Sequence, residues 1–200
     1  LPYTNNFDSD SAGVSAPFIS CWQRNSNYLT GNYPYVSENY SFSGDKSLYF
    51  NSNPSTYSIA ALPQFDTTLY PINNLQVSFK MRTTSSSNKL TIGVMSNPSD
   101  ASTFDSIITV APSSTYTWEQ INTYLTNYVG QGKFIALRSK TGSYNNVYVD
   151  DITVDVIPAC AKPQQITIDS TNTTQAYISF SPAHSTDNSW YLYYKANGAT

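Results

Sequence analysis

Charge is scarce in this chain. Of 200 residues only 10 are Lys or Arg and 13 are Asp or Glu, a formal net charge of -3. The basic residues form no cluster, so the electrostatic footprint of phosphate-backbone binding is missing and the reading is no nucleic-acid partner. Histidine is scarcer still. His184 is the single one, which leaves a Ser-His-Asp triad, a Cys-His pair or a histidine zinc site nothing to build on in the first 157 residues. No apolar run approaches the roughly 18 residues of a helical membrane span, and no basic-then-apolar leader opens the chain. With a start at Leu1-Pro2, the sequence reads as a mature or trimmed piece of a longer protein. Long Ala/Leu/Glu/Lys stretches are lacking, so helix is favoured nowhere. The one glycine-rich candidate for a phosphate loop, Gly130-Gln131-Gly132-Lys133, is a hairpin turn by its flanks. Cysteine occurs twice, as Cys21 and Cys160. They either form one disulfide, worth roughly 4 to 5 kcal/mol by loop closure in an oxidising compartment, or remain two separate thiols.

What the chain does hold is tyrosine, 17 of them, set among Ser, Thr and Asn in short alternating runs. Residues 75–82 are the cleanest: Leu75, Val77, Phe79 and Met81 share one face, and Gln76, Ser78, Lys80 and Arg82 the other. Similar runs lie at 2–8, 18–23, 47–50, 57–62, 89–95, 104–110, 118–125, 133–139 and 147–156, separated by Ser, Asn, Gly and Pro turns. Residues 75–82 and 89–95 read as a hairpin-like pair across the Ser85-Ser86-Ser87-Asn88 turn, and 25–40 as a long ordered loop. About ten short strands at regular spacing make an all-β antiparallel sandwich or barrel. Composition shifts after residue 157, which divides the chain into a main domain at 1–157, a linker at 158–163 and a further segment at 164–200.

The odd strand is Val147 to Val156, which carries two adjacent carboxylates, Asp150 and Asp151, in a β-branched run. Burying an unpartnered carboxylate is costly, so something must meet it. Successive strand side chains point to opposite faces, so without a bulge only one of the two faces inward. Alternation by itself leaves open which of the two that is. Acids on opposite faces cannot flank one glycosidic bond, and no catalytic residues are expected.

Several short motifs occur in a telling order: Pro2-Tyr3 with Phe7-Asp8, Cys21-Trp22, Ser43-Gly44-Asp45-Lys46-Ser47-Leu48-Tyr49-Phe50, the 93–104 stretch beginning Gly93-Val94-Met95, and Tyr148-Val149-Asp150-Asp151-Ile152. Together they resemble the landmarks of bacterial MAM-like jelly-roll modules of the cleaved-adhesin type. The resemblance implies an antiparallel jelly-roll β-sandwich in a secreted or cell-surface protein, with an adhesive or carbohydrate-binding role and no catalysis. It also implies a structural calcium held by Asp8, by the turn around Asp45 with its carbonyls, and by Asp150, in the oxygen-rich coordination calcium prefers, which makes Asp150 the inward acid and Asp151 its solvent-facing neighbour. The alternative for Asp150 is a carboxylate that merely accepts backbone N–H bonds. Residues 164–200, with Ile166-Thr167-Ile168, Ala176 to Pro182 and Trp190 to Lys195, resemble the opening of a fibronectin type III, immunoglobulin-like domain.

For ligand binding, the candidates are aromatics that alternation does not claim for the core. Tyr28, Tyr33 and Tyr35 in the 25–40 loop and Tyr144 head this set, since a flat ring covers the apolar face of a sugar while Asn, Ser and Thr supply directed hydrogen bonds. Trp22 and Trp118 are read as core aromatics instead. Two functions follow. One is a non-catalytic module binding glycans or host and surface glycoproteins. The other is a structural spacer, a protein–protein adhesin segment, or a non-catalytic module of a larger secreted hydrolase.

Overall fold

The computed structural model describes residues 1–27, 33–139, 144–184 and 186–194. They form two compact units, Leu1–Ile157 and Pro158–Thr200.

The first unit is an antiparallel jelly-roll β-sandwich. Its strands among the described residues are β1 (Tyr3–Asn5), β2 (Gln23–Ser26), β3 (Tyr35–Ser37), β4 (Ser47–Ser52), β5 (Ser58–Ala61), β6 (Leu75–Thr83), β7 (Leu90–Met95), β8 (Phe104–Val110), β9 (Glu119–Tyr124), β10 (Phe134–Ser139) and β11 (Asn145–Val156). One sheet runs β3-β4-β11-β6-β9, with β1 also on β11, and the other runs β2-β5-β10-β7-β8. Alternation decides which side chains meet between them. Leu48 and Phe50, Val147 and Val149, and Val77, Phe79 and Met81 point inward from the first sheet, and Ile92, Val94, Ile135 and Leu137 from the second, all fully buried. Burying each such side chain stabilises the fold by roughly 1.5–3 kcal/mol. The second sheet also buries its outer face, where Ile59, Ala61, Met95, Phe104 and Ala136 form a smaller cluster.

Three expectations are corrected here. β6 and β7 are not a hairpin: β6 pairs with β11 and β9, whereas β7 pairs with β10 and β8, so the 85–88 turn carries the chain from one sheet to the other. Alternation reports which face is buried and carries no information on which edge is bonded. The run at 18–23 is mostly a turn, with Trp22 N donating to Ile19 O and Cys21 at φ 64, and β2 starts only at Gln23. Ile19 and Trp22 are buried without being strand residues, because a turn closes one end of the sandwich with its apolar side chains. Finally, the 25–40 segment is not loop throughout, since it contains β3, which bonds to β4.

The second unit contains one antiparallel hairpin, β12 (Gln164–Thr171) with β13 (Ala176–Ser181). Phe180 meets Trp190 edge to face at 4.8 Å. Residues 190–194 are not a strand, so the third strand expected near 190–195 is absent among the described residues.

Candidate functional site

Two features of the first sheet meet on β11. The first is a clasp around Asp150. β4 bonds to β11 along residues 145–149, and β1 takes over along 152–154. Between them the register with β6 jumps from Asp150↔Lys80 to Thr153↔Ser78, one extra residue on β11, and Asp151 adopts φ 48. This is a β-bulge, and it turns both acids towards the 41–46 turn that fills the gap between β4 and β1. Phe42 N and Ser43 N donate to Asp150 Oδ2 at 2.7 and 3.2 Å, and Asp151 N donates to Asp150 Oδ1 at 2.7 Å. Ser43 Oγ donates to Asp151 Oδ1 at 2.6 Å. Asp150 pairs with Lys80 on the outward face of the sheet and is buried by the turn, not by the core, and Asp151 is engaged by Ser43, so neither acid takes the inward or solvent-facing place expected of it. Burial pushes the Asp150 carboxyl up from the ordinary 3.8 to about 6, against the opposing pull of its three N–H donors.

On the other side of the turn, Asp8 Oδ1 accepts from Asp45 N at 2.8 Å and Lys46 N at 3.1 Å, and Oδ2 accepts from Asn6 Nδ2 at 2.8 Å. Gly44 makes this approach workable. It sits at φ 54, and a Cβ there would collide with the Asp8 carboxylate. Lys46 Nζ reaches across to the carbonyls of Asp8 and Asp10 at 2.8 Å each.

The calcium expectation is tested by this donor set, and the fit fails. Asp8 and Asp150 do approach the same turn, but their oxygens accept backbone and amide N–H groups, Asp45 is exposed, and a lysine ammonium already lies on the carbonyls. Among the described residues no three His, Cys, Asp or Glu side chains group as a metal would need. A cation wants lone pairs free, and here three N–H donors already bond each of the two carboxylates. Cys21 and Cys160 are both free, exposed thiols.

The second feature is a row of aromatic side chains on the outer face of the same sheet. Tyr35 of β3 lies opposite Tyr49 of β4, Tyr49 opposite Tyr148 of β11, and Tyr148 opposite Arg82 of β6. Paired residues of an antiparallel ladder point the same way, so these four form one continuous outward row. Tyr49 and Tyr148 stack at 4.6 Å, and Tyr35 meets Tyr49 edge to face at 5.4 Å. Tyr33 closes on both Tyr35 and Tyr49, at 5.4 and 5.9 Å. Tyr40 stands edge-on to Tyr148 at 5.0 Å, and the Arg82 guanidinium lies 3.8 Å from the Tyr40 ring centre. Asn51 and Asn146 hold the Tyr49 hydroxyl at 3.1 and 2.6 Å. Burial raises the pKa of Tyr35 and Tyr148, which keeps these phenols neutral and available as donors. Beside the row, Lys80 Nζ lies over the Phe42 ring at 4.2 Å and Phe42 packs on Trp118 at 6.2 Å. Tyr40 is 45% exposed, Phe42 47% and Tyr116 63%, so the rim is open to solvent.

Of the tyrosines singled out in the sequence, Tyr33 and Tyr35 join this row. Tyr144 is exposed and has no contact with it among the described residues, and Tyr28 lies outside the described residues. Trp22 is a core residue, packed on Phe7 and donating to Tyr3 OH. Trp118 is half-buried on the outer face, not in the core. Lys80 and Arg82 escape the sequence reading as the polar half of an ordinary amphipathic strand, and Tyr49 and Tyr148 as members of strands to which it assigns no faces. A signal was present, in that Tyr49 and Tyr148 each sit between two core residues and so must share the opposite face.

No protein-family model matches the chain, and no curated protein matches it significantly. Among solved structures the chain is similar to the K2 cleaved adhesin domain of Lys-gingipain, with 12% identity, a TM-score of 0.58, and coverage of 78% of this chain and 100% of that one. The K1 cleaved adhesin domain of Lys-gingipain from Porphyromonas gingivalis W83 gives 13% identity and a TM-score of 0.56, over 78% of this chain and 98% of that one. The K3 domain from the same strain gives 14% identity and a TM-score of 0.56, over 76% and 96%. At this identity the likeness concerns the fold alone, an antiparallel jelly-roll β-sandwich.

Proposed function

We propose that the chain is a non-catalytic, extracellular adhesion module that binds glycans, or the glycan part of surface glycoproteins, through the outer face of its first sheet. The observation that carries this is the Tyr35-Tyr49-Tyr148-Arg82 row with Tyr33 and Tyr40 beside it. Aromatic faces cover the apolar side of a pyranose ring, and the neighbouring amides of Asn51 and Asn146 supply polar contacts of the kind sugar hydroxyls use. The fold supports the adhesive part of the reading, because proteins of the same architecture carry adhesin domains. The absence of catalysis is supported by the clasp, whose carboxylates are engaged by N–H and O–H donors. The second unit, with its exposed apolar hairpin, fits the opening strands of a fibronectin type III domain. Among the described residues no helix is long and apolar enough to cross a membrane.

The test is a glycan array read with wild-type protein and with Tyr35→Ala. Reproducible binding that Tyr35→Ala weakens about tenfold or more is the expected result, in line with roughly 1–2 kcal/mol for a lost aromatic stack. A blank array from a protein that still adheres to cells replaces the glycan with a protein partner.

A further inference from the structure

We infer that the ligand of the tyrosine face carries a carboxylate, and that Arg82, with Lys80 beside it, makes the face select acidic, uronic-acid-bearing saccharides over neutral ones. The inference rests on the reading of that face as a glycan platform.

Arg82 is only 9% exposed, yet among the described residues it has no anionic partner. Its Nε donates to Tyr116 O at 3.2 Å, and its buried Nη1 has no hydrogen-bond partner. The rings of Tyr40, Tyr116 and Tyr148 surround the guanidinium carbon at 3.8, 5.9 and 5.9 Å. Cation–π contact offsets part of the cost of removing this charge from water, and it leaves the hydrogen-bonding capacity of the guanidinium unmet. A buried charge without a hydrogen-bonded counter-charge is an expensive arrangement to keep unless something else supplies the acceptor.

Nothing on the face competes for that role. Asp150, one pair further along β11, is fully buried and occupied by three N–H groups, and Asp151 is held by Ser43. Glu119, on the neighbouring strand, is bonded to the backbone N–H and hydroxyl of Ser113. Lys80 lies over the Phe42 ring and opposite Asp150, whose carboxylate is already bonded by the turn. Among the described residues the face therefore carries one cation, Arg82, without a matching anion, in a chain whose net charge is negative. The guanidinium is also held in place. Tyr116, whose carbonyl it bonds, adopts φ 63, a conformation rare outside glycine, and its N–H is fixed to Thr83 O at 2.8 Å. Strain of this kind persists where the surroundings enforce it, and it is concentrated at functional sites. A planar fork beside tyrosine rings suits a pyranose bearing a carboxylate, which reaches the buried Nη1 by displacing the Tyr40 ring that lies on the guanidinium.

The experiment is a calorimetric titration of the full chain with a tetragalacturonate and with a neutral galactotetraose, at low and at high salt. The acidic oligosaccharide is expected to bind about tenfold tighter or more, as a charge-assisted hydrogen bond is worth. The preference should shrink with salt and disappear below about pH 3, where the uronate protonates. Arg82→Lys keeps the charge and loses the planar fork, and should bring the ratio of the two affinities towards one while neutral binding persists. Lys80→Gln, at a more open position, should lower the ratio two- to threefold. The wild-type measurements stand alone if Arg82→Lys does not fold. Equal affinity for both sugars, with Tyr35→Ala abolishing both, overturns the inference and leaves the glycan reading intact. Binding of neither sugar overturns the inference, and a blank glycan array beside it overturns the glycan reading as well. Binding of a poly-glutamate peptide with no binding of either sugar overturns the inference in favour of an acidic protein partner.

Discussion

Asp150 and Arg82 are both buried charges on the first sheet, and the molecule treats them oppositely. Asp150 lies under the 41–46 turn with its two oxygens answered by three backbone N–H groups. Arg82 lies under tyrosine rings with Nη1 unanswered. A satisfied buried charge does its work inside the fold, locking the turn to the bulge. An unsatisfied one indicates an acceptor that arrives from outside. The contrast separates a structural clasp from a recognition face, although the two share β11 and stand only a few residues apart.

The sharpest way to break this comparison is at the clasp. Asp150→Ala strands three N–H groups in a buried place and should cost about 3 kcal/mol, read as a lowered urea midpoint. Asp150→Asn keeps an acceptor and should cost under about 1 kcal/mol. Glycan binding should survive in both, since Asp150 does not reach the outer rim. Loss of binding in Asp150→Asn with stability unchanged would merge the two regions into one site.

Next in size is pH. The folded Asp150 carboxyl titrates at about 6 against an ordinary 3.8. A raised folded pKa favours the folded state while the group is protonated. Its contribution is full below 3.8 and is lost as pH rises through 6, a swing of up to about 3 kcal/mol. Asp151, beside it on β11, and Lys80, opposite it on β6, are the charged groups that face it. The unfolding free energy should therefore rise between pH 7 and 5 more in wild type than in Asp150→Asn. Identical slopes for the two proteins would remove burial as the dominant influence on Asp150.

The smallest expected effect concerns Lys46. Removing its ammonium from the carbonyls of Asp8 and Asp10 in Lys46→Gln should lower the melting temperature by a few degrees, about 1 kcal/mol. Millimolar calcium should leave the wild-type melting temperature where a chelated sample has it. A calcium-dependent rise would show a ligand bound only to the folded state, and the clasp would then be a metal site after all.

Much of the sandwich was legible in the chain. The alternation of Leu75 to Met81 assigned a strand and its core face correctly, and the runs at 47–50 and 147–156 were recognised as strands, because side-chain burial follows a period that the sequence displays. The pairing of β6 was misread, since loop length does not say whether a turn closes a hairpin or crosses between sheets. At the site, Tyr33 and Tyr35 were visible because they stood outside the core pattern. Tyr49, Tyr148 and Arg82 were hidden by being inside it, as the outward half of regular strands. Asp151 was misplaced for a local reason: a one-residue bulge inverts the face of everything near it, and bulges leave no reliable mark in composition.

By itself the sequence determined that this is an all-β chain with little charge, abundant tyrosine, no triad and an acidic last strand, since these depend on residue type and spacing alone. Only the tertiary structure decided that four residues from β3, β4, β11 and β6 lie in one row, and that the aspartates face amides while the arginine faces rings. Those facts depend on strand register and on one bulge. They are relations between segments as far apart as Phe42 and Asp150, 108 residues along the chain, and no single stretch contains them.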